Sequence, residues 1–240
     1  MRRLAFVVAL AAAAAASTAA YAAAPAQPSK PNPCKGIRNC ITVNGPWVAV
    51  PANGAATYLL ECPKRNGYVA GIDSLATSSD VRASWDARLP NPPSPLSKAA
   101  QSLTGPYILF TAYSAAGKAG LLQPWIGCVP IPPTNPRVTT SARVVAVAKP
   151  GKPIDRWQTT VRVHAGHQTG TRACGKGERL LGGWTAIDFK TDTAPSPSVA
   201  SKIHPTLTLA DGDVAVSIQT EAGVPQGDFP EVQVGATCAK

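Results

Sequence analysis

The sequence predicts an all-β protein of two tandem, duplicated antiparallel modules, each a small β-sandwich or barrel-like unit. Three observations carry that expectation. Twenty-four prolines, twenty glycines and a single methionine in 240 residues leave little room for long helices. Stretches rich in Val, Thr, Ile and aromatic residues alternate with Pro, Gly, Asn and Asp, the texture of short strands and turns. Six cysteines include two nearly equal intervals, 66 residues from Cys62 to Cys128 and 64 from Cys174 to Cys238.

Residues 1–24 begin with Arg2 and Arg3, continue through an apolar stretch from Leu4 to Ala16, and end in small residues. That is the layout of a cleaved signal peptide, and the apolar stretch is shorter than the roughly 20 residues a membrane span needs. The expectation is a secreted, extracytoplasmic chain, periplasmic or extracellular, with no transmembrane anchor after signal removal. Residues 25–40 form an N-terminal segment in which "CKGIRNC" makes a small loop between Cys34 and Cys40. The first module spans 41–130, with strands expected at 41–50, 56–61, 67–76, 81–85, 106–113 and 122–129. Residues 131–142 read as a proline-stiffened linker. The second module, 143–240, has strands expected at 143–149, 158–164, 169–174, 179–189, 203–209, 212–220 and 231–238. Pro/Ser-rich loops at 88–98 and 191–201 occupy corresponding places in the two modules.

Several landmarks recur in order. Trp47 and Trp157 each open a strand-like stretch that breaks at a glycine and reaches a cysteine about sixteen residues on. Gly71 and Gly183 each lie nine residues past that cysteine. "QPWIGCVP" and "VQVGATCAK" close the two modules. Six cysteines on an exported chain imply disulfides, and equivalent modules should be joined equivalently. That pairs Cys62 with Cys128 and Cys174 with Cys238, leaving Cys34 for Cys40. A metal site does not fit, because the cysteines lack C-x-x-C spacing.

The formal charge is +10, unevenly spread. Residues 25–130 carry nine Lys/Arg against four Asp/Glu, whereas 155–240 carry eight against nine. A basic first module suits an anionic envelope component, while the absence of long Lys/Arg runs argues against nucleic acid.

"GTRACGKG" (170–177) matches the G-x-x-x-x-G-K part of a phosphate-binding loop, but Gly177 stands where Ser or Thr should hold a metal ion. With Cys174 tied into a disulfide, the stretch reads as strand, turn, strand, and no nucleotide or other cofactor is expected. Cys174, Gly177, Gly182 and Gly183, like Cys62, Pro63 and Gly71, resemble the cysteine and Gly-Gly pattern of β-sandwich repeats in secreted bacterial proteins. The resemblance carries over no activity.

"HAGH" could bring His164 and His167 to one metal, with Asp188, Asp211 or Asp213 as a third ligand. On a plain strand, however, residues three apart face opposite ways. "ADGDV" (210–214) reads as a hairpin turn rather than a calcium site. Trp47 and Trp157, as counterparts, read as structural. Trp85, Trp125 and Trp184 have no counterpart and are candidate sugar or partner contacts, beside Lys64 and Arg65 on the basic module. The function expected is that of a secreted, non-catalytic binding or structural protein meeting an envelope polymer or another extracellular protein. The alternative is a secreted hydrolase whose site is built on His164, His167 and an Asp.

Overall fold

The computed structural model describes residues 30–63, 67–87, 106–115, 117–130, 154–210 and 212–239. Residues 1–24, expected as a signal peptide, Lys64, Arg65, Asp211, the loop expected at 88–98, the linker expected at 131–142 and the strand expected at 143–149 lie outside the described residues.

The fold is all-β. Its strands are β1 (Ile41–Asn44), β2 (Trp47–Val50), β3 (Ala55–Glu61), β4 (Tyr68–Ala76), β5 (Val81–Ala87), β6 (Tyr107–Ser114) and β7 (Gly120–Val129) in the first half. The second half holds β8 (Ile154–Arg162), β9 (Gly166–Ala173), β10 (Arg179–Phe189), β11 (Ile203–Ala210), β12 (Asp213–Thr220) and β13 (Pro230–Ala239). A short helix, α1 (Pro197–Ala200), lies in the segment expected to be loop. Pro197 presets its first turn and the Ser196 hydroxyl accepts from the Ser198 N–H at 3.4 Å.

Both halves use one strand order. In the first, β7 lies between β4 and the β1–β2 pair, and in the second β13 lies between β10 and β8. Each half adds a three-stranded sheet, β3-β6-β5 and β9-β12-β11. Pairing of Asp188 with Val48 and Phe189 with Trp47 fuses the larger sheets into one of seven strands. The two small sheets lie on opposite faces of this long sheet. Val69, Ile126 and Cys128 meet Leu60, Ile108 and Phe110 on one face. Val232, Val234 and Ala236 meet Val214, Val216 and Ile218 on the other.

Cys62–Cys128 and Cys174–Cys238 each join the end of a small-sheet strand to the long sheet, and Cys34–Cys40 closes the N-terminal loop. A crosslink closing a loop of this length contributes on the order of 4 kcal/mol in the chain-entropy model.

The register corrects two landmarks. Val43 pairs with Ile126 and Trp157 with Ala236, each two residues before its cysteine. Trp157 therefore corresponds to Val43, and Trp47 to Thr160. The break at Gly45–Pro46 splits one strand into β1 and β2 and inserts one residue, so four positions separate Val43 from Trp47 where three separate Trp157 from Thr160. A bulge between Val69 and Gly71 has its counterpart between Leu180 and Gly182, so Gly71 matches Gly182 rather than Gly183.

Gly71 and Gly127, cross-strand neighbours, leave a bare patch on the long sheet. The N-terminal loop fills it. A Cβ on Gly71 would collide with the Pro33 carbonyl, and one on Gly127 would lie 2.6 Å from the same oxygen and 2.7 Å from Cys40 Sγ. The Asp73 carboxylate accepts from Asn32 N–H at 2.9 Å beside them. On the second half, the corresponding face is covered by β3. There the Gln233 amide accepts from Leu59 N–H at 2.7 Å and donates to the Leu59 carbonyl at 3.0 Å. Trp184, flat against Gly235, packs with Leu59 and Tyr107.

Candidate functional site

Between the halves runs a cleft of about 650 Å³, well within the range of ligand sites. The first half contributes the end of β3 (Glu61), the start of β4 (Tyr68) and the start of β6 (Tyr107). The second contributes the start of β8 (Asp155 to Gln158) and Arg172 near the end of β9. Strand ends meet here because each disulfide holds a small sheet to the long one at this level, so side chains from five strand starts and ends converge.

Trp157 is 36% exposed, not a core residue. Its indole N–H donates to Glu178 Oε2 at 2.8 Å, and the Arg172 guanidinium lies 5.3 Å from the ring centroid, a cation–π contact. Arg156, its side chain only 8% exposed, forms an ion pair with Asp86. Burial pushes the Glu61 carboxyl up from its ordinary range, and Arg172 opposes that shift. Four buried polar atoms without a hydrogen-bond partner among the described residues belong to residues lining the cleft: Tyr107 Oη, Arg156 Nε, Gln158 Oε1 and Arg172 Nε. Native interiors keep such atoms rare, and here they come from both sides of one cleft.

The sequence candidates are scattered. Trp85 is 57% exposed on β5, while Trp125 is half-buried on β7 and donates to Gln123 Oε1 at 3.0 Å. Trp184, a candidate contact residue, is buried, because Gly235 opposite it leaves room for the ring. These three do not form one surface, and none lines the cleft. His164 and His167 are exposed around the Gly166 turn, with His164 Nδ1 3.3 Å from Gln226 Oε1. Asp213 pairs with Ala173, at the far end of β9 from His167. Asp188 lies on β10, on the face turned toward β3. Among the described residues no three His, Cys, Asp or Glu side chains gather as metal ligands. "GTRACGKG" is strand, turn, strand: Gly175 N–H donates to Glu178 Oε2 at 2.9 Å, and Cys174 is disulfide-bonded.

One acidic pair is buried elsewhere. Asp188 and Glu231 are cross-strand neighbours facing Tyr58, and Asp188 is 1% exposed with both carboxyl oxygens unpartnered. Burial, then the Glu231 charge, raises its pKa well above the ordinary range, with Lys190 opposing. Lys190 Nζ lies 2.6 Å from Glu231 Oε2.

The cleft residues Arg156, Gln158, Tyr107 and Trp157 escaped the sequence reading. The one legible hint to the junction was a glutamine five residues before each closing cysteine, Gln123 and Gln233. Comparison with known protein families, curated proteins and solved structures finds no match for this chain. Among the described residues no helix is long and apolar enough to cross a membrane. Three disulfides fit an oxidising compartment.

Proposed function

We propose that the chain is a secreted, non-catalytic binding protein that holds a polysaccharide of the cell envelope in the cleft between its halves. The observation that carries this reading is the cleft's composition: the rings of Trp157, Tyr68 and Tyr107 beside the hydrogen-bonding side chains of Arg156, Arg172, Gln158, Glu61 and Asp155. Flat rings stack on sugar faces, and planar polar groups meet hydroxyls. Two arginines offset two carboxylates, so the cleft suits a neutral polymer better than a polyanion. This favours the polysaccharide over the anionic partner suggested by the basic first half.

The test is co-sedimentation of the oxidised chain with insoluble polysaccharides and cell-wall polymer across a salt series. Binding should persist at high salt and fall at least tenfold in Trp157→Ala and Arg172→Ala, roughly the loss of a stacked ring or a charged hydrogen bond. Binding that vanishes with salt but survives both substitutions would shift the contact to the basic residues of the first half, Lys64 and Arg65 among them. Release of reducing sugar would overturn the non-catalytic part and turn attention to Glu61 and Asp155.

A further inference from the structure

We propose that a second, separate pocket on the long sheet binds an N-acetylated amino-sugar unit. It encloses about 440 Å³ and shares no lining residue with the cleft. Trp47 and Trp125 supply its aromatic surface. The Trp47 indole N–H is buried without an acceptor among the described residues, in a residue only 5% exposed.

The neighbouring polar groups are already committed. Trp125 Nε1–H donates to Gln123 Oε1 at 3.0 Å, and Gln123 Nε2 donates to the Gly45 carbonyl at 3.1 Å. A single neutral donor is thus left over at an aromatic wall. Leu75 and Pro31 extend the apolar part, while Asn44, Lys30 and Asp192 form the polar part. Lys30 and Asp192 carry opposite charges, so the pocket selects neither anions nor cations.

A neutral acceptor bearing a small apolar group meets these requirements. The acetamido carbonyl accepts from the indole N–H, its methyl packs on Leu75 and Trp125, and ring hydroxyls reach Asn44 and Asp192. A carboxylate would face Asp192. A plain glucose unit has no group that both accepts from the indole and fills the apolar wall. The indole N–H lies beneath the surface in this structure, so the pocket wall must give for the acceptor to reach it.

The test titrates the oxidised full chain with N,N′-diacetylchitobiose (chitobiose below) and with cellobiose, which lacks the acetamido groups, following indole N–H resonances by NMR. Chitobiose should shift the Trp47 resonance, assigned with Trp47→Phe, and cellobiose should not. Trp47→Phe keeps a ring but removes the donor, and should weaken chitobiose binding about fivefold to tenfold. Trp157→Ala should leave this binding unchanged, which separates the pocket from the cleft. An unshifted Trp47 resonance, unaltered affinity in Trp47→Phe, or loss in Trp157→Ala alone would each overturn the proposal. If Trp47→Phe fails to fold, Asn44→Ala takes its place, and the wild-type shift still decides.

Discussion

Gln233→Leu should loosen the junction between the halves more than any other single polar change. Gln233 is almost fully buried, and its amide takes up both the N–H and the carbonyl of Leu59, 174 residues away, as a neighbouring strand would. Leucine preserves much of the volume but leaves both backbone groups buried and unpaired. Each such orphan costs about 1–3 kcal/mol, so the loss should be about 4 kcal/mol. Urea unfolding of the oxidised protein at 25 °C reads this directly. With a slope of about 2 kcal/mol/M, the midpoint should fall by about 2 M. Gln123→Leu is the internal control. Gln123 donates to one backbone carbonyl, that of Gly45 within its own half, and accepts from the indole of Trp125, a ring only half-buried and so the cheaper of the two to leave unpaired, so its loss should be nearer 2 kcal/mol. A Gln233→Leu midpoint within 0.3 M of wild type, or no lower than that of Gln123→Leu, would refute the idea that this amide clasps the halves.

Two further substitutions probe the sheet. Asp188→Asn should raise stability at neutral and alkaline pH. The raised carboxyl pKa, caused first by burial and then by Glu231, gives a contribution that is complete below the unfolded value near 3.8 and lost as pH rises through the folded value. The substitution should therefore flatten the dependence of Tm on pH above about 4, and an unchanged profile would count against a protonated Asp188. Gly71→Ala should unseat the N-terminal loop, because its Cβ would collide with the Pro33 carbonyl, whereas Gly182→Ala meets nothing within 4 Å. Limited proteolysis should cut residues 30–40 faster only in the first variant, and overpacking there should cost about 1–3 kcal/mol.

The strands were legible because their signals are local. A largely apolar stretch bounded by turn residues, such as Leu121–Val129 between Gly120 and Pro130, reads as a strand from its own composition, and the predicted 179–189 strand matches β10 residue for residue. The three disulfides were legible because repeated cysteine intervals constrained their pairing. The tryptophans were less so. Trp47 and Trp157 looked equivalent because each precedes its cysteine by about sixteen residues, yet strand pairing matches Trp47 to Thr160 and Trp157 to Val43, burying one ring and leaving the other partly exposed. Trp184 looked like a surface ring because the chain gives no sign of which residue faces it, and Gly235 becomes its neighbour only through β10–β13 pairing.

By itself, then, the sequence determined the all-β class, most strand limits and the covalent framework, since alternation, turn residues and cysteine spacing act over short distances or through bonds. Only the tertiary structure decided that the halves share one long sheet with their small sheets on opposite faces, that a glutamine and a leucine 174 residues apart complete each other's hydrogen bonds, and that Tyr107, Trp157 and Arg172 line one cleft. Those outcomes depend on which apolar face buries against which. The packing of whole surfaces decides that, and no local pattern along the chain encodes it.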